Sequence, residues 1–210
     1  QKFKKLFWKQ RYFKVISFKA KDAAEEAVKF LERGQVIVCP TDTVYGLLAD
    51  ATNDKAVERV FEIKKRNKKK AIPIFVKDIA MAKKMVKIDK DMERFLEEIW
   101  PGKITVALNK KEKSGLSELL FGGKKTLGLR IPNYKLISRI IEKMGKPLTG
   151  TSANISGKPS STKIKEVLEQ FEKQEIRPDL ILDGGNLPES FPSTVVDFSG
   201  QKPRIVRRGK

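Results

Sequence analysis

Four clusters of polar side chains in this chain have types and spacings suited to binding anions. Thr41, Asp42, Thr43, Tyr45 and Gly46 follow Pro40 at the end of an apolar run, Val36-Ile37-Val38-Cys39. Strand ends in α/β sheets are where ligands collect. Lys64 and Arg66 stand two apart, and so do Ser152 and Asn154. In extended backbone, residues i and i+2 share a face, so either pair can meet one polyanion or one ribose. Arg130 interrupts an apolar segment, Leu127-Gly128-Leu129-Arg130-Ile131. An arginine there must find a partner or a ligand, and its fork matches a carboxylate or a phosphate. The first three also have a plainer reading. The first is a strand and turn with capping hydroxyls, the second runs into solvated lysines (Lys68, Lys69), and the third is an Asx-type turn.

The composition removes several chemistries. The chain has 210 residues and no histidine, which excludes Ser-His-Asp and Cys-His catalysis and the usual zinc sites. Cys39 is the single cysteine, so no internal disulfide forms and a reducing cytoplasm is the expected setting. Its apolar surroundings favour a buried inert thiol over a nucleophile. No Gly-x-Gly-x-x-Gly follows a strand. The nearest approach to a P-loop, Gly150 to Gly157-Lys158, is too widely spaced and carries Pro159 where Ser or Thr is needed. No stretch reaches the roughly 18–20 apolar residues of a membrane span, and no secretory signal is visible. The net charge is +19, which points to nucleotides, RNA or an acidic surface as partners.

The elements that must position these clusters read as follows. Residues 1–19 are a basic and aromatic arm, suited to RNA stacking or to an edge strand packed on the body; residues 20–210 are the body. A helix from Asp22 to Gly34 precedes strand 36–39. A helix capped by Asn53 runs into Lys64 and the basic run to Lys70. Then come strand 72–76, a helical stretch 78–100 broken near Ile88-Asp89, the stop at Pro101-Gly102, and strand 104–108. Residues 113–126, rich in Lys, Ser and Gly, predict a mobile loop. Strand 127–131, a helix capped by Asn133 and ended by Gly145, and strand 147–150 follow. A helix near 162–173 and strands at 180–182, 194–198 and 204–206 complete the chain. Strands and helices alternate before strands dominate the end. The fold class is therefore α/β (α+β), a single domain with a twisted, mostly mixed sheet flanked by helices.

Together these segments resemble the YrdC family of threonylcarbamoyl-AMP synthases. The matching pieces are Pro40 to Leu47, Lys64-x-Arg66, Trp100-Pro101-Gly102, Gly128 to Pro132, Thr151 to Gly157, Asp183-Gly184-Gly185, Ser193 to Val196, and Ile205-Val206-Arg207-x-Gly209. They occur in the family's order over roughly residues 20–209. The resemblance implies a positively charged concave face. It also implies formation of L-threonylcarbamoyl-AMP and pyrophosphate from L-threonine, bicarbonate or CO2, and ATP with Mg2+ as its substrate complex, with no protein-bound metal. Other proteins, a threonylcarbamoyl-transferase complex, would then pass the group to tRNA. By position, Thr43, Arg130, Gly150 and Ser193 match the family's threonine-binding residues. Arg66, Lys70, Thr126, Ser152, Asn154, Ser160 and Arg207 match its nucleotide-binding residues. Lys64 and Arg66 form its basic catalytic motif, Lys64 facing phosphate, and Tyr45 shapes the pocket. The loop 113–126 is expected to close over ATP.

The chain departs from the family in several places. Phe75 stands where many relatives have a histidine that helps to bind threonine. Ala71-Ile72 replaces a common Pro-Leu, and Lys103 and Arg208 each replace a proline. In length the chain is similar to the short, single-domain type. Two other functions fit the same face: a non-enzymatic module binding tRNA or double-stranded RNA, and a carbamoyl-adenylate enzyme for another amino acid, as Phe75 would allow.

Overall fold

The apolar run ahead of the Thr-Asp-Thr cluster becomes the centre of a sheet. The computed structural model describes residues 13–200 and 202–209. Residues 1–12, most of the basic and aromatic arm, lie outside them. In chain order the elements begin β1 (Lys14–Ser17), α1 (Ala23–Glu32), β2 (Ile37–Cys39), β3 (Gly46–Leu48), α2 (Asp54–Lys64) and β4 (Ile74–Phe75). They continue with α3 (Ile79–Met85), α4 (Lys90–Ile99), β5 (Ile104–Asn109), β6 (Thr126–Arg130), α5 (Lys135–Met144) and β7 (Leu148–Thr149). The last are β8 (Thr151–Ser152), α6 (Ile164–Phe171), β9 (Leu180–Asp183), β10 (Thr194–Asp197) and β11 (Arg204–Arg207).

The strands make two mixed sheets where the sequence predicted one. A five-stranded sheet has the order β1-β9-β2-β3-β8, and a six-stranded sheet the order β11-β10-β5-β6-β4-β7. The division falls at Gly150. Thr149 pairs with Ile74 in the larger sheet, and Thr151 pairs with Leu47 in the smaller. One residue thus carries the chain from one sheet to the other. The strand β3 was not legible in the sequence, because three residues beginning with glycine give no alternation to detect. At the other edge, β1 runs parallel to β9, and Phe13 packs against the core.

Three helix starts carry a side-chain cap, and α1, α5 and α6 do not. Asn53, Asp78 and Asp89 each accept a backbone N–H three residues on, so α2, α3 and α4 start where a short polar side chain satisfies a free donor. Two successive aspartate caps also explain the break near residue 88. Gly145 ends α5 with φ +64°, which glycine adopts freely. Asp22 precedes α1 but makes no side-chain cap. Asn133 does not cap α5, which starts two residues later; its backbone N–H donates instead to Asp42 Oδ2 at 3.0 Å.

The core lies on both faces of the smaller sheet. One cluster joins α1 and α5 to Ile37, Cys39, Leu48, Phe75 and Leu148. The other joins α2 to Val38, Tyr45, Leu47, Ile74, Leu129 and Trp100. The segment expected to be a mobile loop is anchored in part. Leu116, Ser117, Leu120 and Phe121 are buried, Leu120 O accepts the Ile72 N–H at 2.9 Å, and Ala51 O accepts the Ser117 N–H at 3.0 Å. The lysines and glycines that suggested mobility flank an apolar turn that burial holds down.

Candidate active site

A cavity of about 110 Å³ lies at the seam between the sheets, lined by residues of seven segments that are far apart in sequence. The Pro40 to Gly46 segment forms one wall. Thr41 Oγ1 accepts the Thr43 N–H at 2.9 Å and donates to Val44 O at 2.7 Å, which leaves the two threonine hydroxyls 3.0 Å apart. This local bonding turns the chain sharply after the strand. Tyr45 then runs through the interior. Its hydroxyl donates to Gly185 O at 2.8 Å and accepts from Gly184 N at 2.9 Å, which ties this wall to the Asp-Gly-Gly turn. Burial pushes its phenol pKa up, so it shapes the wall without titrating.

Arg130 lines the cavity beside that wall. On β6, Leu127 and Leu129 enter the core, so Thr126, Gly128 and Arg130 take the other face. Arg130 is 3% exposed. Its Nε donates to Gly102 O at 2.7 Å, its Nη1 to Thr43 Oγ1 at 3.2 Å, and its Nη2 to Asp42 Oδ1. The Trp-Pro-Gly turn supplies the first acceptor. A Cβ on Gly102 would stand 2.6 Å from Ile99 O, so only glycine lets the turn close this tightly. Burial lowers the pKa of the Arg130 guanidinium, while Asp42 pulls it back up.

Two more arginines reach the cavity. Arg66 is fixed by Lys70 O and Ala71 O, at 3.2 and 2.9 Å. Arg207 donates to Ser193 O at 3.0 and 2.8 Å and to Ser193 Oγ at 3.2 Å, and Ser193 Oγ also lies 2.8 Å from Thr105 Oγ1. Their partners are neutral oxygens. For Arg66 and Arg207 alike, burial lowers the pKa first, and the charge of another arginine lowers it further: Arg207 acts on Arg66, and Arg130 on Arg207. Such mutual repulsion at one cavity favours an anion between them.

Lys64 sits behind the cavity. It is 2% exposed, and its Nζ donates to Asn154 O at 2.9 Å, Asn154 Oδ1 at 3.0 Å and Ser152 O. Burial, and then the charge of Arg66, push its pKa down to about 7. Read from the sequence as facing phosphate, it points instead into the loop after β8. Asn154 is similarly engaged: Oδ1 also accepts from Ser152 Oγ at 2.6 Å, and Nδ2 donates to Lys158 O at 2.6 Å and to Ile155 O at 3.1 Å.

The structure thus brings Thr43, Arg66, Arg130, Gly150, Ser152, Ser193 and Arg207 to one cavity. Lys64, Lys70, Thr126, Asn154 and Ser160 do not line it. Lys70 contributes its backbone carbonyl to Arg66. Thr126 lies on the same strand face as Arg130, four residues back and so roughly 13 Å away. Ser160 lies in the segment that leads into α6. Thr41 and Asp42 stand in the first sequence cluster without an assigned role, and the sequence did not single out Thr105; among the described residues Asp42 is the one carboxylate bonded to an arginine of the cavity. An acid between two threonines at a strand end was the available signal. Cys39 is buried, and burial raises its thiol pKa. A larger hollow of about 600 Å³ beside Phe30, Arg59 and Arg177 contains none of the predicted site residues. Among the described residues, no three His, Cys, Asp or Glu side chains gather as a metal site, and no helix is long and apolar enough to cross a membrane.

A family model for Sua5, YciO and YrdC proteins, described as "Telomere recombination", matches residues 29–209. The threonylcarbamoyl-AMP synthase of Pyrococcus abyssi is 34% identical over 184 residues, covering 87% of this chain and 53% of that protein. The chain therefore spans about half the length of that relative. A putative threonylcarbamoyl-AMP synthase of Methanocaldococcus jannaschii is 33% identical over 189 residues, covering 88% and 86%. The crystal structure of P. abyssi Sua5 complexed with L-threonine superposes with a TM-score of 0.84 at 31% identity, covering 94% of this chain and 57% of that one.

Proposed function

The chain belongs to the Sua5/YciO/YrdC family, and from that premise we propose that it is an L-threonylcarbamoyl-AMP synthase. Its substrates are L-threonine, bicarbonate or CO2, and ATP arriving as its Mg2+ complex. The observation that carries this reading is the charge balance of the cavity, where Arg66, Arg130 and Arg207 meet and, among the described residues, Asp42 is the one carboxylate bonded to any of them.

The amine of threonine adds to CO2 and gives up a proton, forming a carbamate. A carbamate oxygen then attacks the α-phosphorus of ATP, and the bond to the β-phosphate oxygen breaks. The products are the mixed anhydride and pyrophosphate. Negative charge grows on the α-phosphoryl and leaving oxygens, where fixed guanidinium groups stabilise it without reorganising. Arg130 and the hydroxyls of Thr43 and Ser193 suit the two ends of threonine, while Arg66, Arg207 and Ser152 suit phosphate and ribose. Holding three reactants in line can supply roughly 7–11 kcal/mol of the barrier. No covalent enzyme intermediate is needed, which fits a chain without histidine and with a buried cysteine.

In this reading the product passes in the cytoplasm to a threonylcarbamoyl-transferase acting on tRNA. Lys65, Lys68, Lys69 and Lys70 are exposed beside Arg66 and could meet an RNA backbone. The test is pyrophosphate release from ATP with magnesium and bicarbonate, with and without L-threonine. Threonine should stimulate release by the wild type, and Arg130→Ala should lower it roughly 100-fold, as loss of one partner of a buried charge pair with the substrate carboxylate does. A well-folded wild type that ignores threonine would overturn the reading.

A further inference from the structure

Phe75 is the largest apolar side chain on a cavity otherwise rich in hydroxyls and arginines. Its ring is held in place. A Cβ on Gly150 would lie 2.7 Å from two of its ring carbons, so the ring rests directly on the backbone at the crossing between the sheets. On the neighbouring strand, Phe75 pairs with Arg130, whose Cζ lies 5.7 Å from the ring centroid. Behind, the ring joins the core cluster with Cys39, Leu48 and Leu148, and the residue is 4% exposed. The ring cannot swing away without opening the core, so it is a rigid wall. The Thr41 and Thr43 hydroxyls, 3.0 Å apart, line the same cavity.

We propose that Phe75 is the specificity-determining residue of the amino-acid site. This rests on the synthase reading above. Threonine carries one hydroxyl and one methyl on its β-carbon, and the cavity lining offers both hydroxyl partners and an aromatic wall. Bound with its carboxylate toward Arg130, threonine places its methyl against the Phe75 ring. Serine lacks that methyl and leaves the wall uncovered. Larger side chains meet a ring that cannot retreat in a space of about 110 Å³. One methyl in an apolar contact separates substrates by roughly 10-fold or more.

The experiment compares L-threonine, L-serine and L-leucine with the wild type, Phe75→Leu and Phe75→Ala. It reads amino-acid-dependent pyrophosphate release and, separately, amino-acid binding by titration calorimetry, with circular dichroism to confirm folding. The wild type should favour threonine over serine roughly 10-fold or more. Phe75→Leu, which keeps an apolar wall, should retain most of that ratio. Phe75→Ala should bring the ratio near one and admit leucine. An unchanged ratio in folded Phe75→Ala overturns the proposal while leaving the synthase reading in place. A binding preference that Phe75→Ala erases, without any pyrophosphate release by the wild type, supports the Phe75 assignment and overturns the reaction. Should Phe75→Ala fail to fold, Phe75→Val, which draws the wall back from the methyl, decides: a threonine-to-serine ratio that falls toward one supports the assignment, and an unchanged ratio overturns it.

Discussion

Two buried cations flank the cavity, and they are held in opposite ways. Arg130 is bonded to a carboxylate, a hydroxyl and a carbonyl, with Asp42 as its counter-ion. Lys64 is bonded to three neutral oxygens of a single loop. The first arrangement fixes a permanent charge where a ligand can use it. The second uses a charge as a tether for the backbone that carries Ser152. A buried ion with a partner is strongly destabilised when that partner is removed. A buried ion without one already bears a desolvation cost and relieves it by losing its proton.

Removing each member of the arginine pair breaks the comparison most severely. Arg130→Ala leaves Asp42, whose side chain is 10% exposed, without its cation, and unfolding stability should fall by up to about 3–5 kcal/mol. Adding Asp42→Ala removes the orphan, so the double variant should regain most of that loss in urea unfolding. Its threonine-dependent activity should stay as low as that of Arg130→Ala. Stability effects of the two changes that simply add would mean that the pair is not coupled.

The lysine should cost less. Lys64→Met removes the tether and leaves Ser152 O, Asn154 O and Asn154 Oδ1 without a donor, which costs about 1–3 kcal/mol. Loss of the buried charge offsets part of it. Because Ser152 lines the cavity and its loop depends on Lys64, the Michaelis constant for ATP should rise more than turnover falls. A change in turnover with an unaltered Michaelis constant would put Lys64 among the groups that touch the reacting phosphates.

The two cations also differ in how far the sequence revealed them. Arg130 stood out because a charged residue in an apolar strand demands a partner, although Asp42 could not be identified as that partner across 88 residues. Lys64 sat in a run of basic residues where exposed and buried lysines look alike. Its burial follows from α2 ending against the β8 loop, a tertiary fact. The same limit explains the sheets. Individual strands were legible from apolar runs bounded by turn residues, but their division at Gly150 depends on pairings to Ile74 and Leu47 that no local pattern encodes. Buried Leu120 and Phe121 were visible as apolar residues, yet their lysine- and glycine-rich flanks outweighed them in the reading.

The gentlest perturbation, a change of pH, separates the two cations most cleanly, since only one of them titrates in an accessible range. Below about pH 7, Lys64 is protonated in both folded and unfolded chains, and its burial cost is fully present. Between about 7 and the ordinary lysine value of 10.5, the folded chain has lost that proton while the unfolded chain keeps it. The unfolded state then binds more protons, so stability rises with pH, by at most about 1.4 kcal/mol per pH unit from this one group. Lys64→Met lacks the group and serves as the reference. The wild-type stability minus that of Lys64→Met should therefore climb from pH 7.5 to 9.5 in urea unfolding. The same subtraction for the Arg130→Ala/Asp42→Ala double variant should stay flat, because a guanidinium keeps its charge over that range. A flat line for Lys64 as well would mean that three carbonyl-type oxygens hold an ammonium as firmly as a carboxylate holds a guanidinium, and the contrast between the two sites would disappear.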